Sequence, residues 1–154
     1  MNKPILYGAG FLAVIVFLLV GSTWWSRALE RDPQGTSVLL SQSGLHWHAK
    51  LIIRINGEEF PIPANLGLGV VHNPIHTHDD EPGLVHMEFG VLVRAEDLAL
   101  GKFFKIWGKR FDSGGIFEYE AEQGKFTMTV DGVPSEEFEN YSMRDGDVIE
   151  ISYE

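Results

Sequence analysis

Apolar and polar positions change rhythm several times along the chain, and each rhythm predicts an element. The first stretch has no alternation: Pro4 to Ser26 is an uncharged run of 23 residues, and Phe11 to Val20 is almost wholly aliphatic and aromatic. As a helix rising ~1.5 Å per residue it would cover ~34 Å, enough to cross a hydrocarbon core of ~30 Å. Trp24-Trp25 falls where an interfacial aromatic belt would lie, and Lys3 marks the near end as cytoplasmic. The expectation is a cytoplasmic N-terminus and transmembrane anchor over 1–26, in a cell membrane crossed once. A juxtamembrane stalk would follow over 27–43 and an extracytoplasmic domain over 44–154. Folded structure should begin near Val38 to Ser43. A signal peptide cleaved near Val20-Gly21-Ser22 is the alternative, and it also exports the domain.

From residue 46 the period becomes two. Trp47, Ala49, Leu51, Ile53 and Ile55 form one face of a strand, and His46, His48, Lys50, Ile52 and Arg54 form the other. Asn56-Gly57 predicts a two-residue hairpin turn, with Glu58 to Ile62 as the return strand and Pro61 marking an edge. A second alternating run places Val85, Met87, Phe89, Val91 and Val93 on an apolar face, with His86 and Glu88 opposite. The rhythm then lengthens. Leu100, Phe103, Phe104 and Trp107 stand at i, i+3, i+4 and i+7, and Gly108 follows, which predicts a short amphipathic helix. Phe126, Met128 and Val130 alternate up to the turn Asp131-Gly132. Asp145-Gly146 precedes a last strand carrying Ile149, Ile151 and Tyr153.

Strands, one helix, then strands predict an α+β class with a small curled sheet. The ending Gly132-Val133-Pro134 … Met143-Arg144-Asp145-Gly146-Asp147-Val148-Ile149-Glu150-Ile151 resembles the close of the β-grasp, ubiquitin-like fold. Small sulfur carriers of that fold act through a terminal Gly-Gly. This sequence closes on Ser152-Tyr153-Glu154, so the resemblance does not imply their activity.

Charge narrows the function. Residues 1–31 hold the cations Lys3, Arg27 and Arg31 and the anion Glu30, so the remaining nine cations and 21 anions give residues 32–154 a net charge of −12. Such a body repels polyphosphate, which argues against nucleic acid as a partner. Lys102, Lys105, Lys109 and Arg110 form one basic patch, but the aromatics among them belong to the helix's apolar stripe and the lysines to its solvated face. The chain has no cysteine, so thiolate metal sites and disulfides are excluded. Metal chemistry would rest on imidazole and carboxylate.

All six histidines fall between positions 46 and 86, as His46-Trp47-His48, His72, His76-Thr77-His78-Asp79 and His86-Met87-Glu88. In extended chain, residues two apart share a face, so the X-any-X pairs project together. Neutral imidazole is the commonest metal ligand near neutral pH, and an ion supplies the attraction that crowded imidazoles lack. The candidate ligands are His46, His48, His76, His78 and His86, with Glu88 and Asp79 as carboxylate ligands or orienters of the rings. His72 reads as the weakest member and Met87 as a core residue. Six or seven groups exceed one tetrahedral shell, so a binuclear site is open. Nitrogen ligands without thiolates put copper ahead of zinc.

The pattern His76-Thr77-His78-Asp79 … Gly83-Leu84-Val85-His86-Met87-Glu88, followed by Phe103-Phe104-Lys105-Ile106-Trp107-Gly108, resembles a family of uncharacterised prokaryotic exported or membrane-anchored His-rich domains. That resemblance spans roughly 45–153 and implies an exported module without implying an activity. Cupin, HExxH, phosphate-loop and nucleophile-elbow patterns are absent from the sequence. Three readings follow. The first is metal storage, delivery, sensing or electron transfer beside a membrane complex. The second is a mononuclear or binuclear metalloenzyme, hydrolase or oxidoreductase, with Glu88 or Asp79 as general base. The third is an interaction module, self-associating or docked to a membrane protein and stabilised by metal.

Overall fold

In a computed structural model, residues 38–154 are described. The predicted anchor over 4–26 lies outside the described residues, as does most of the predicted stalk. Among the described residues no helix is long and apolar enough to cross a membrane.

The body is mostly β-sheet with one α-helix among the described residues, α+β in the coarse sense. Its main sheet is built on β2 (Leu45–Ile55), the eleven-residue strand that the alternation from His46 predicts. β2 turns at Asn56-Gly57, with φ of 53° and 82°, into β3 (Glu58–Glu59). Only these two residues continue the ladder, although Glu58 to Ile62 was expected. Pro61 has no N–H to offer, so after Phe60 donates to the Ile53 carbonyl at 2.8 Å the chain leaves the sheet.

β2 also pairs antiparallel with β5 (Leu84–Phe89), which pairs antiparallel with β4 (Ile75–His76). On its other side β2 runs parallel to the last strand, Val148–Tyr153, and that strand pairs antiparallel with Phe126–Val130. The first long strand and the last are thus parallel neighbours at the centre, and a helix lies in the connection that separates them in sequence. This helix, α1 (Leu100–Trp107), buries Leu100, Phe103 and Phe104, as its spacing predicts. It starts where Leu100 N–H donates to the Tyr141 carbonyl at 2.8 Å. It stops at Gly108, whose φ of 70° suits glycine best.

One core joins sheet and helix: Leu51, Ile53, Met87, Phe103, Phe104, Met128, Ile149 and Ile151 are all 2% exposed or less. Burying a side chain of this size contributes roughly 1.5–3 kcal/mol. Val91 does not join them. It is 69% exposed because β5 ends at Phe89 and Gly90 breaks the alternation, so pairing resumes only at β6 (Val93–Arg94). β6 takes β1 (Leu39–Ser41) as its antiparallel partner, which makes residues 39–41 of the expected stalk part of the folded body. A small three-stranded sheet, β7 (Phe111–Asp112), β8 (Gly115–Ile116) and β9 (Tyr119–Glu120), follows α1 and was not predicted. Its strands are two residues each, too short to carry a period. The order closes with β10 (Phe126–Val130), β11 (Val133–Pro134) and β12 (Val148–Tyr153), and Asp131-Gly132 forms the turn between the first two.

Candidate metal centre

Register assembles the histidines. His48 of β2 stands opposite His86 of β5, and His86 stands opposite His76 of β4. Three imidazoles therefore form one rank across three adjacent strands. In the next rank His46 stands opposite Glu88. Directly paired residues project to the same side of a sheet, so all five side chains share the face opposite Ala49, Val85, Met87 and Ile75. The ring centroids of His48 and His86 lie 4.6 Å apart, those of His46 and His48 4.7 Å, and those of His76 and His86 5.4 Å.

His78 lies beyond the end of β4 and reaches the rank from there. Its ring meets His86 edge-on at 4.6 Å, and its Nε2 is 3.2 Å from Nε2 of His76. Two nitrogens on one tetrahedral ion with bonds of ~2.05 Å would stand ~3.3 Å apart. The segment that carries both rings is tied down by Thr77, which is 1% exposed. Its hydroxyl donates to the Pro63 carbonyl at 2.9 Å and accepts from Leu66 N–H at 3.1 Å. Gly67, with φ of 78°, lets that loop close on β4, since a Cβ there would stand 2.7 Å from the Ile75 carbonyl oxygen.

The rings differ in their outer partners. Nδ1 of His76 donates to the Asn73 carbonyl at 3.0 Å, so its Nε2 is the acceptor of the 3.2 Å hydrogen bond from His78 Nε2–H. Nε2 of His46 is 3.0 Å from Glu88 Oε1. The backbone N–H of His48 donates to Asp145 Oδ1 at 2.9 Å, and His48 Nδ1 is 3.9 Å from the same oxygen. His86 is 6% exposed, and both of its ring nitrogens are buried without a hydrogen bond. Glu81 Oε2 stands 3.3 Å from His86 Nε2 but out of line for one.

Burial, and then the neighbouring His48 and His78, hold His86 below the ordinary imidazole value of 6.5. Burial lowers His76 too, against the opposing pull of its bond to the Asn73 carbonyl. Both rings therefore favour the neutral form that ligates metal.

Three sets of ligand atoms lie within 4.8 Å of one another: His46, His48 and His86; His76, His78 and His86; and His72, His76 and Glu88. The five predicted histidines and Glu88 all fall within these sets. Asp79 does not; it is exposed on the loop after His78 and points to no shared ligand position. His46 is exposed, whereas His76 and His86 are buried.

His72, the weakest candidate by sequence, meets His76 edge-on at 4.5 Å, and Glu81 and Asp145, which were not among the candidates, stand beside His86 and His48. Glu81 had one signal. It begins the turn Glu81-Pro82-Gly83 that reverses the chain from β4 into β5, and such a turn must pass close to the strand it feeds. Comparisons with protein-family models, curated proteins and solved structures return no match for this chain.

Proposed function

We propose that the chain is a transition-metal binding protein, with copper favoured over zinc. Its histidine-faced domain is held outside a cell membrane by the N-terminal apolar run. One observation carries this reading. His76 and His78 present Nε2 atoms 3.2 Å apart, next to a buried His86 whose two nitrogens lack hydrogen bonds. A buried polar group without a partner costs roughly 1–3 kcal/mol, and an ion bound there, held also by His76 and His78 in place of the hydrogen bond between them, would remove that cost. The acidic body adds a general attraction for cations.

Storage, delivery, sensing or electron transfer fits better than hydrolysis. Glu88, the candidate general base, is engaged by His46 at 3.0 Å, and exposed Asp79 belongs to none of the three ligand sets. The parallel centre formed by β2 and β12, flanked by antiparallel β5 and β10 with α1 in the connection, supports a β-grasp-like fold for the domain.

The test is calorimetric titration of the full chain in detergent with copper(II) and with zinc(II). Copper should bind more tightly than zinc, and the double variant His76→Ala/His78→Ala should lose at least ~100-fold in affinity, since even outer partners of metal ligands are worth ~10–100-fold. Equal binding by wild type and double variant would overturn the proposal.

A further inference from the structure

The ligand sets overlap in a way that bears on nuclearity. His86 belongs both to the set with His46 and His48 and to the set with His76 and His78. Outer partners assign the nitrogens of the other rings. The Asn73 carbonyl occupies Nδ1 of His76 and leaves Nε2 for an ion shared with His78. Because that single lone pair is committed there, the set of His72, His76 and Glu88 does not hold a further ion. Glu88 engages Nε2 of His46 and leaves Nδ1, while Asp145 stands nearest Nδ1 of His48 and leaves Nε2. Metal-bound imidazoles commonly carry such an outer partner on the second nitrogen.

His86 departs from that pattern. It is more than nine-tenths buried, both nitrogens lack a hydrogen bond, and it stands in the middle strand between the two groups of rings. Building on the metal-binding reading, we infer that the site holds two transition-metal ions at once, with His86 as an imidazolate bridge between them. His46 and His48 complete one ion's protein ligands, and His76 and His78 complete the other's.

The balance is simple. Binding the second ion releases the remaining ring proton of His86 to solvent, and each nitrogen donates one lone pair to one ion. The bridge carries a negative charge between two cations and so reduces their repulsion. Bonds of ~2 Å to either end of an imidazole ring put the ions about 6 Å apart. The carboxylates of Glu81, Glu88 and Asp145 surround the pair and offset its positive charge.

Copper(II) alone is the probe, added to the full chain in detergent. Wild-type protein should take up two equivalents, and at that point its electron paramagnetic resonance intensity should fall well short of two spins, because the bridge couples them. His86→Ala should return whatever copper it retains to full spin intensity. His46→Ala/His48→Ala should bind one equivalent, fully visible; this variant alters the more exposed end of β2 and leaves the buried rank's other members in place. Saturation of the wild type at one equivalent, or two equivalents at full intensity, would overturn the bridge while leaving metal binding intact. No uptake at all would overturn both.

Discussion

The two faces of the β4–β5–β2 sheet segment are built from the same strands and held together differently. On one face Ile75, Met87 and Trp47 form a rank, and on the other His76, His86 and His48 form the next. Met87 and His86 are sequence neighbours with 0% and 6% exposure. Met87 gains from leaving water, a contribution that needs no partner of defined chemistry and changes little with pH. His86 loses water's hydrogen bonds and receives none in return. Equal burial is therefore stabilising on one face and costly on the other.

The largest break in this comparison comes from the apolar side. Met87→Ala should cost about 2–5 kcal/mol in urea unfolding, by a similar amount with and without metal, and the folded variant should keep the copper stoichiometry of the wild type. If the loss disappeared when copper was added, the two faces would be coupled rather than independent.

Acid should act on the other face. His76 and His86 protonate in the folded metal-free chain below the ordinary value of 6.5. As pH falls, the unfolded chain takes up protons first, so stability holds above about pH 6.5, declines beneath it, and levels off under the folded-state values. Bound copper should steepen that decline, since protons then compete with the ion for the same lone pairs. Thermal melts of the metal-free chain at pH 7.5 and 5.5 check this; equal melting temperatures would mean that these rings are not held neutral.

The smallest effect belongs to an outer partner. Asp145→Ala removes the acceptor for His48 N–H and the carboxylate near Nδ1 of that ring. Copper affinity should fall by about tenfold with stoichiometry unchanged. A loss as large as that of the His76/His78 double variant would make Asp145 a ligand itself.

Much of the scaffold was legible along the chain because its signals are local. Alternation at 47–55 and 149–153, the turns Asn56-Gly57 and Asp131-Gly132, and the 100, 103, 104, 107 spacing closed by Gly108 each reflect backbone periods or positive φ within a few residues. The alternation also told that His46 and His48 share a face of β2, and His86 and Glu88 a face of β5. It failed at Val91, where one glycine reset the period, and in the two-residue strands of β7 to β9, which are too short to display one.

By itself the sequence determined which candidate ligand chemistry is on hand: imidazole and carboxylate without thiolate, concentrated in a single stretch of an acidic chain. Tertiary structure decided which groups meet. Placing β5 between β2 and β4 sets His86 between His48 and His76, a consequence of pairing register that no local period encodes. It also decided that His76 and His86 are buried, and that Glu81, Asp145 and His72 stand beside the rank while Asp79 does not. Those groups come from loops, whose paths follow from the strands they connect and the contacts they close upon, and such contacts join residues far apart in the chain.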